Sequence, residues 1–272
     1  MIKLIALDLD GTTLKKGGKL TAETAEAIGK AIDNGTKVVI ATGRVFSALP
    51  KIILGLEGLR YIITSNGAVV TDLQNGSAIY TNFIDEKAVM AVLETLRKYD
   101  FMVEAFANGD AYMEEEVYYH IKKEGSPFNN GAYLLTTRKP IRDLFKYIYE
   151  NRASMENINL SFTDPEDKAM MRNVLSRVKN ISTTSAFAYN LEICGLTTSK
   201  ADALKHLSER LGIKREEIMA CGDSENDIDM LKYAGIPVAV ANASEEVKAI
   251  SKYISPSNEE NGVAAAIEKF VL

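Results

Sequence analysis

The chain has 272 residues, of which 46% are hydrophobic and 25% charged, values that are ordinary for a folded globular protein with one large domain or two ordinary ones. A formal net charge of -5 argues against a general nucleic-acid-binding protein, because such proteins usually carry basic surface for phosphates. Cys194 and Cys221 are too few for a disulfide framework, and we find neither a secretion signal nor an apolar run of about 18 residues, so we expect a cytoplasmic protein without a membrane partner.

The first 82 residues predict strands alternating with helices. The apolar run MIKLIALD predicts a buried strand, and TAETAEAIGKAIDNG predicts a helix with Thr21 as its N-cap and Gly35 beyond its carboxyl end. A second strand is predicted in KVVIATGR, and a third in YIITSNGAVV, followed by a turn at Asn66-Gly67. This alternation favours parallel pairing of the strands.

The pattern changes near Phe83 and returns near Lys200. The segment DEKAVMAVLETLRKY predicts a helix, and FMVEAFANGDAYM predicts two strands about an Asn108-Gly109 turn. From Lys200, helices and short apolar strands alternate again. We therefore predict an α/β protein: a doubly wound, parallel-sheet (Rossmann-like) core formed by residues 1–82 and 190–272, with an inserted α+β cap domain at 83–189.

Two carboxylates follow the first predicted strand. Asp8 and Asp10 would be costly as unpaired buried anions, so the strand must leave the sheet there. Ligands of open α/β sheets bind at the carboxyl ends of strands. A solvated Asp-Gly turn is the alternative reading of this pair.

Other strand ends carry groups that suit an anion. Thr42 and Gly43 end the second strand, where a hydroxyl and backbone N–H groups can hold an oxyanion, although an ordinary cap and turn would look the same. Lys200 lies at a predicted helix start with Ser199 as a possible cap; a cation there opposes the helix dipole unless an anion is near. A solvated surface lysine is the competing interpretation.

The segment ACGDSENDIDML adds oxygen ligands at a further strand end. Asp223, Asn226 and Asp227 lie where the strand passes into a helix, a position that capping alone would also favour. Carboxylates and carbonyls suit a hard ion such as Mg²⁺, and the absence of nearby His or paired Cys disfavours zinc.

Four short motifs, DLDGT, ATGR, SK and GDSEND, occur in this order along the chain and together resemble the motifs of the haloacid dehalogenase-like phosphatases. The long insertion before Lys200, with SNGA and IPVAVANA, resembles the Cof-type branch of that family. Ala201 and Ala241 depart from the branch, which often has glycine at these positions, but neither change removes a proposed catalytic group.

The resemblance implies roles for individual residues. Asp8 would be the nucleophile that forms an aspartyl-phosphate, Asp10 the general acid and base, and Lys200 a further catalytic residue. Mg²⁺ would be held by Asp8, the backbone carbonyl of Asp10 and Asp223, with Asp227 acting directly or through water. The groups expected to bind the phosphoryl oxygens are those of Leu9, Thr42, Gly43, Lys200 and Asn226.

The function expected from this resemblance is Mg²⁺-dependent hydrolysis of small phosphate monoesters, sugar phosphates or phosphorylated cofactors, with the cap selecting the alcohol portion. Two alternatives stay open. A sugar phosphomutase would keep the same pair of aspartates, and a noncatalytic ligand-sensing protein could keep the same fold. The physiological substrate and the oligomeric state do not follow from the sequence.

Overall fold

The computed structural model describes residues 1–128 and 130–272. Within the described residues the strands are β1 (Leu4–Leu7), β2 (Lys37–Ala41), β3 (Tyr61–Thr64), β4 (Val69–Asp72), β5 (Ser77–Thr81), β6 (Met102–Ala107), β7 (Asp110–Glu114), β8 (Arg138–Ile141), β9 (Met155–Ser161), β10 (Ile181–Thr184), β11 (Asn190–Gly195), β12 (Ile218–Gly222), β13 (Ile236–Val240) and β14 (Tyr253–Ser255).

The α-helices of the described residues are α1 (Ala22–Asp33), α2 (Lys51–Leu54), α3 (Glu86–Leu96), α4 (Glu115–Glu124), α5 (Gly131–Thr137), α6 (Leu144–Glu150), α7 (Pro165–Leu175), α8 (Lys200–Arg210), α9 (Ile228–Tyr233), α10 (Glu245–Ile250) and α11 (Gly262–Phe270). A short 3-10 turn at Ser65–Gly67 follows β3, and another at Glu225–Asp227 precedes α9. None of the helices in the described ranges is long and apolar enough to cross a membrane.

The chain folds into two compact units. The first contains Met1–Gly43, Leu49–Thr81 and Ser199–Leu272, and its eight-stranded sheet has the order β14-β13-β12-β1-β2-β3-β4-β5. Pairing is parallel from β14 to β3, which confirms the predicted doubly wound core. The segment YIITSNGAVV predicts one strand followed by a turn. In the structure β3 is followed by two further strands, β4 and β5, which continue the sheet as an antiparallel edge.

Burial explains why the central strands are continuous apolar runs. All four residues of β1 are buried, because β1 lies between β12 and β2 and both faces of the sheet are covered. The first helix begins as predicted: the Thr21 side chain accepts a hydrogen bond from the Thr24 backbone N–H, and Gly35 follows the helix with φ +86°.

The second unit contains Arg44–Ala48 and Asn82–Thr198, and its six-stranded sheet has the order β10-β11-β9-β6-β7-β8. The predicted hairpin is present, with Asn108 and Gly109 both in left-handed conformations between β6 and β7. Helices α3, α6 and α7 contribute to an apolar core with Ile158 and Leu160 of β9. Mixed pairing with helices confirms the predicted α+β character.

The division between the units differs from the predicted boundary at residue 190. Strand β11 begins at Asn190 and pairs with β9 and β10, so it belongs to the second sheet, and the first unit resumes at Ser199. A short apolar strand carries no local mark of which sheet it will join, because its partners are distant in sequence. Within the predicted cap range 83–189, residue 129 lies outside the described residues.

Candidate active site

The carboxyl end of β1 places Asp8 at the edge of the first sheet. The strand ends at Leu7, and the Asp8 backbone N–H donates to the Cys221 carbonyl at 3.0 Å, so the neighbouring strand β12 still holds the backbone here. The Asp8 side chain is buried, whereas Asp10 is only half-buried. The chain therefore leaves the sheet between the two aspartates, and they occupy different environments.

Lys200 is the group that pairs with Asp8. It is the first residue of α8, whose N-cap Ser199 accepts a hydrogen bond from the Asp202 backbone N–H at 3.1 Å, as the sequence predicted. Its side chain is fully buried, and Nζ lies 2.6 Å from Asp8 Oδ1 and 2.7 Å from Asp227 Oδ1. Two anions therefore offset a cation at a helix start, and the surface-lysine interpretation of Lys200 is wrong.

Asp227 organises the loop that follows β12. Its second oxygen, Oδ2, accepts hydrogen bonds from the backbone N–H groups of Asp223 at 2.9 Å and Ser224 at 3.1 Å. Gly222 is required beside it, because a Cβ at this position would lie 2.5 Å from the Asp227 Cβ. The Asp227 carboxylate thus orients both Lys200 and the backbone that presents Asp223.

Asp223 is held from the opposite side by the segment after β1. Its carboxylate accepts hydrogen bonds from Thr12 Oγ1 at 2.6 Å and from Ser224 Oγ at 2.8 Å. Gly11 has φ +86°, and a Cβ there would lie 2.7 Å from Asp223 Oδ2. The glycine of the Asp-Gly pair therefore permits both the turn and the close approach of this carboxylate.

Asp8, Asp223 and Asp227 form one cluster, in which each carboxylate offers an oxygen within 4.8 Å of the other two. Only one ammonium, that of Lys200, directly pairs with them in the hydrogen bonds described above. Excess negative charge in a buried volume is unfavourable unless a cation balances it. The donor set, three carboxylates without sulfur or imidazole, suits a hard divalent ion.

The electrostatics of the cluster follow from this burial. Desolvation raises the pKa of Asp8 well above its ordinary value, and the charges of Asp227 and Asp223 add to the shift, while Lys200 opposes it. Desolvation and Asp227 likewise raise the pKa of Asp223. Burial alone would lower the pKa of Lys200, but Asp227 and Asp8 outweigh that effect and raise it, so the ammonium stays charged.

The expected phosphate-binding residues lie around the same sheet edge. Thr42 follows β2, beside β1 in the sheet, and is buried, while Gly43 is half-buried. Asn226 lies in the turn before α9, where its Nδ2 donates to Asn66 Oδ1 at 3.0 Å. The Leu9 side chain is fully buried, so we expect only its backbone to contact a ligand.

Sequence reasoning missed some residues that support the site. Thr12 was not singled out, although it binds Asp223 directly. Asn66 was interpreted only as part of a turn, but it contacts Asn226. Asn242 Nδ2 donates to the Gly11 carbonyl at 2.8 Å, which ties the loop after β13 to the segment that carries Asp10. The signals that could have found Asn66 and Asn242 were the SNGA and VANA segments, where polar residues again follow strands, whereas Thr12 lies within the DLDGT motif.

Cys221 lies near the site but is not one of its reactive groups. It is fully buried in β12, and burial, aided by the charge of Asp227, raises the pKa of its thiol to about 12. A thiol in this state is protonated near neutral pH and is a poor nucleophile. We therefore assign Cys221 a structural role.

Comparisons with known proteins identify the family of this chain. The model of the haloacid dehalogenase-like hydrolase family matches residues 5–267. A 5-amino-6-(5-phospho-D-ribitylamino)uracil phosphatase of Bacillus subtilis is 31% identical over 274 residues, covering 100% of this chain and 96% of that protein. A phosphoglycolate phosphatase of Methanobrevibacter smithii is 31% identical over 274 residues, covering 100% and 99%.

A solved structure has the same fold. The haloacid dehalogenase-like hydrolase from B. subtilis superimposes with a TM-score of 0.86 at 28% sequence identity, covering 99% of this chain and 100% of that one. The resemblance carried by the four sequence motifs is thereby confirmed. The chain belongs to the haloacid dehalogenase-like hydrolase family, and it is a phosphatase.

Proposed function

We propose that this phosphatase hydrolyses small phosphate monoesters with Mg²⁺, through an aspartyl-phosphate formed on Asp8. The observation that supports this proposal most directly is the cluster of Asp8, Asp223 and Asp227, in which Asp8 and Asp227 are buried and Asp223 is half-buried, with Lys200 bonded to the two buried members. A cluster of this kind concentrates a nucleophilic carboxylate, hard-metal ligands and a phosphate-binding cation in one place.

In the first step, an Asp8 carboxylate oxygen attacks phosphorus as the bond to the alcohol oxygen breaks. Asp10 protonates that departing oxygen, a role for which its half-buried position outside the cluster is suitable, since it can exchange protons with solvent. In the second step, Asp10 removes a proton from the water that attacks phosphorus, and the bond between phosphorus and the Asp8 oxygen breaks. Inorganic phosphate is released, and the Asp8 carboxylate is regenerated.

Lys200 and the neighbouring donors would stabilise charge on the phosphoryl group. Lys200 holds one Asp8 oxygen at 2.6 Å and opposes the effect of burial on the pKa of this carboxyl, so it favours the ionised form of the nucleophile. Five groups would donate hydrogen bonds to the phosphoryl oxygens: the backbone N–H groups of Leu9 and Gly43, the Thr42 hydroxyl, the Asn226 amide and the Lys200 ammonium.

The carboxylates fit a Mg²⁺ site by their chemistry, their spacing and their unbalanced charge. Asp8, Asp223 and the Asp10 carbonyl would hold the ion, and Asp227 would support the set through Lys200 and the Asp223 backbone. When bound, the ion reduces the repulsion between a carboxylate nucleophile and a phosphate dianion.

The substrate class we propose is a small phosphorylated metabolite, either a sugar phosphate or a phosphorylated cofactor or cofactor precursor. Two relatives named for their substrates act on a phosphorylated ribitylaminouracil and on phosphoglycolate. These compounds share a phosphate monoester on a small polar alcohol and differ elsewhere. We assign the choice of alcohol to the predicted cap, residues 83–189.

Purified protein is expected to release inorganic phosphate from a panel of metabolite phosphates when Mg²⁺ is present, and chelation should abolish release reversibly. Phosphate release is measured colorimetrically, with each substrate ranked by kcat/KM. No bisphosphate activator should be needed. Isomerised sugar phosphate without net phosphate release would instead indicate a mutase, and binding without turnover would indicate a ligand sensor.

Mg²⁺ is also expected to stabilise the protein, more strongly at about pH 8 than at about pH 5. Because the folded-state pKa values of Asp8 and Asp223 are raised, the folded protein binds more protons than the unfolded chain, and metal-free stability falls as pH rises through those values. At a metal concentration about 100 times the Kd, stabilisation should be about 2.7 kcal/mol, measured as an increase in Tm.

The control for this measurement is Asp223→Asn, which removes one carboxylate of the cluster. The variant should lose most of the Mg²⁺-dependent increase in Tm, while NaCl at matched ionic strength should stabilise neither protein. An increase that is equal at both pH values, or equal in the variant, would contradict a metal site at these carboxylates.

A further inference from the structure

The turn that follows β3 has a backbone that L-amino acids rarely adopt. Ser65, Asn66 and Gly67 have φ values of 49°, 55° and 101°, three consecutive residues with positive φ. All three are buried. A non-glycine residue in this region costs about 1–2 kcal/mol, so the surrounding structure must hold the turn in place.

The contacts of the turn lead to the expected phosphate-binding groups. The Asn66 backbone N–H donates to the Thr42 carbonyl at 3.1 Å, and Asn66 Oδ1 accepts from Asn226 Nδ2 at 3.0 Å. One residue thus joins the carboxyl ends of β2 and β12, from which Thr42 and Asn226 come.

Gly67 brings the same turn against the start of α8. A Cβ on Gly67 would lie 2.1 Å from the Ser199 carbonyl oxygen and 3.1 Å from the Lys200 backbone nitrogen. The backbone of the turn therefore packs directly on the residues that begin this helix. The turn touches the backbone or side chain of three residues assigned to phosphate: Thr42, Lys200 and Asn226.

The Asn66 side chain determines how the Asn226 amide is presented. A carboxamide nitrogen carries two N–H donors, and Asn66 takes one of them. This hydrogen bond restrains rotation of the Asn226 amide and determines which side of the amide carries its nitrogen. Without this partner, the Asn226 amide would lose rotational freedom when the phosphoryl group binds, and that loss of entropy would weaken the interaction.

We propose that Asn66 is a positioning residue for phosphoryl transfer, which orients the Asn226 amide through its side chain and the Thr42 segment through its backbone. This inference rests on the proposed function, because Asn226 and Thr42 are assigned to phosphate there. The left-handed backbone contributes to this positioning, because it allows the side chain and the backbone N–H of Asn66 to reach two different strand ends.

The test is Asn66→Gly, which removes the amide but keeps a residue that adopts φ 55° readily. We expect kcat/KM to fall about 10-fold and the Ki of inorganic phosphate to rise by a similar factor, with little change in Tm. Asn180→Gly is the matched control, because Asn180 is exposed and also has a left-handed backbone (φ 63°). It should match the wild type in all three quantities.

Asn66→Ala separates the two contributions of this residue. It should show the same kinetic loss as Asn66→Gly together with a lower Tm, because alanine, unlike asparagine and glycine, is poorly tolerated in the left-handed region. If the turn served stability alone, Asn66→Ala would have a lower Tm, but Asn66→Gly would keep the wild-type KM and phosphate Ki. That result would contradict the proposal.

A double-mutant cycle tests whether Asn66 acts through Asn226. In the Asn226→Ala background, Asn66→Gly should change the phosphate Ki less than 2-fold, whereas full additivity of the two substitutions would overturn the proposal. Wild-type protein that releases no phosphate would defeat the proposed function itself. Active wild-type protein with an unaffected Asn66→Gly variant would defeat only this inference.

Discussion

Asp8→Asn is expected to reduce kcat by at least about 10⁴-fold while Tm stays equal or increases. The substitution keeps the size of the side chain but removes the carboxylate that would attack phosphorus. Burial and the neighbouring aspartates disfavour a negative charge at this position, so loss of the charge should not harm folding. Lys200 keeps its second partner, Asp227, at 2.7 Å.

Steady-state phosphate release with saturating Mg²⁺ and thermal unfolding of the metal-free protein measure this prediction, because Asp8 is also a proposed ligand of the ion. Asp229→Asn is the matched control, since Asp229 is an exposed acid on α9, outside the carboxylate cluster, and its loss should leave kcat within about 2-fold of the wild type. Substantial turnover by metal-replete Asp8→Asn would show that another group is the nucleophile.

Lys200→Met is expected to lower both the stability and the activity. The variant leaves Asp8 and Asp227 buried without the ammonium that bridges them, and removal of one partner from a buried ion pair costs about 3–5 kcal/mol. Loss of the cation that would bind the phosphoryl group should reduce kcat/KM by about 100-fold or more. Methionine has a similar length, so the effect reports charge more than packing.

The pH dependence of the stability of Lys200→Met distinguishes loss of the charge from a packing defect. Without Lys200, the pKa of Asp8 should rise further, so the variant should lose stability more steeply than the wild type as pH increases. Urea unfolding at about pH 5 and pH 8 measures this difference. Addition of Asp8→Asn should restore part of the lost stability, because one of the two buried charges disappears.

Lys205→Met provides the control on the same helix. Lys205 is exposed on α8, and the same chemical change there should leave the urea midpoint and kcat/KM near the wild-type values. If Lys200→Met had a wild-type midpoint and wild-type activity, the bridging ammonium would have no part in either folding or catalysis.

Much of this arrangement could be predicted because the functional residues follow apolar strands. Asp8, Thr42 and Asp223 each come directly after a short buried run, and parallel strands bring their carboxyl ends to one edge of a sheet. The caps at Thr21 and Ser199 and the Asn108-Gly109 hairpin are equally local signals, and all three are present.

Other features depended on contacts between distant parts of the chain. The edge formed by β4 and β5 and the assignment of β11 to the second sheet follow from pairing that short apolar segments do not encode locally. Asn66 looked like an ordinary turn residue, because its partner Asn226 lies 160 positions later. Positive φ at Ser65 likewise has no sequence signature of its own.

By itself, the sequence determined the fold class, the family and the chemical groups that surround the site, because periodicity, caps and four ordered motifs are written in local residue order. The tertiary structure alone decided that Lys200 is buried between Asp8 and Asp227, and that Asn66 connects two strand ends. Burial and ion pairing arise only when segments about 200 residues apart pack together, and the low-dielectric surroundings created by that packing set the charges of the site.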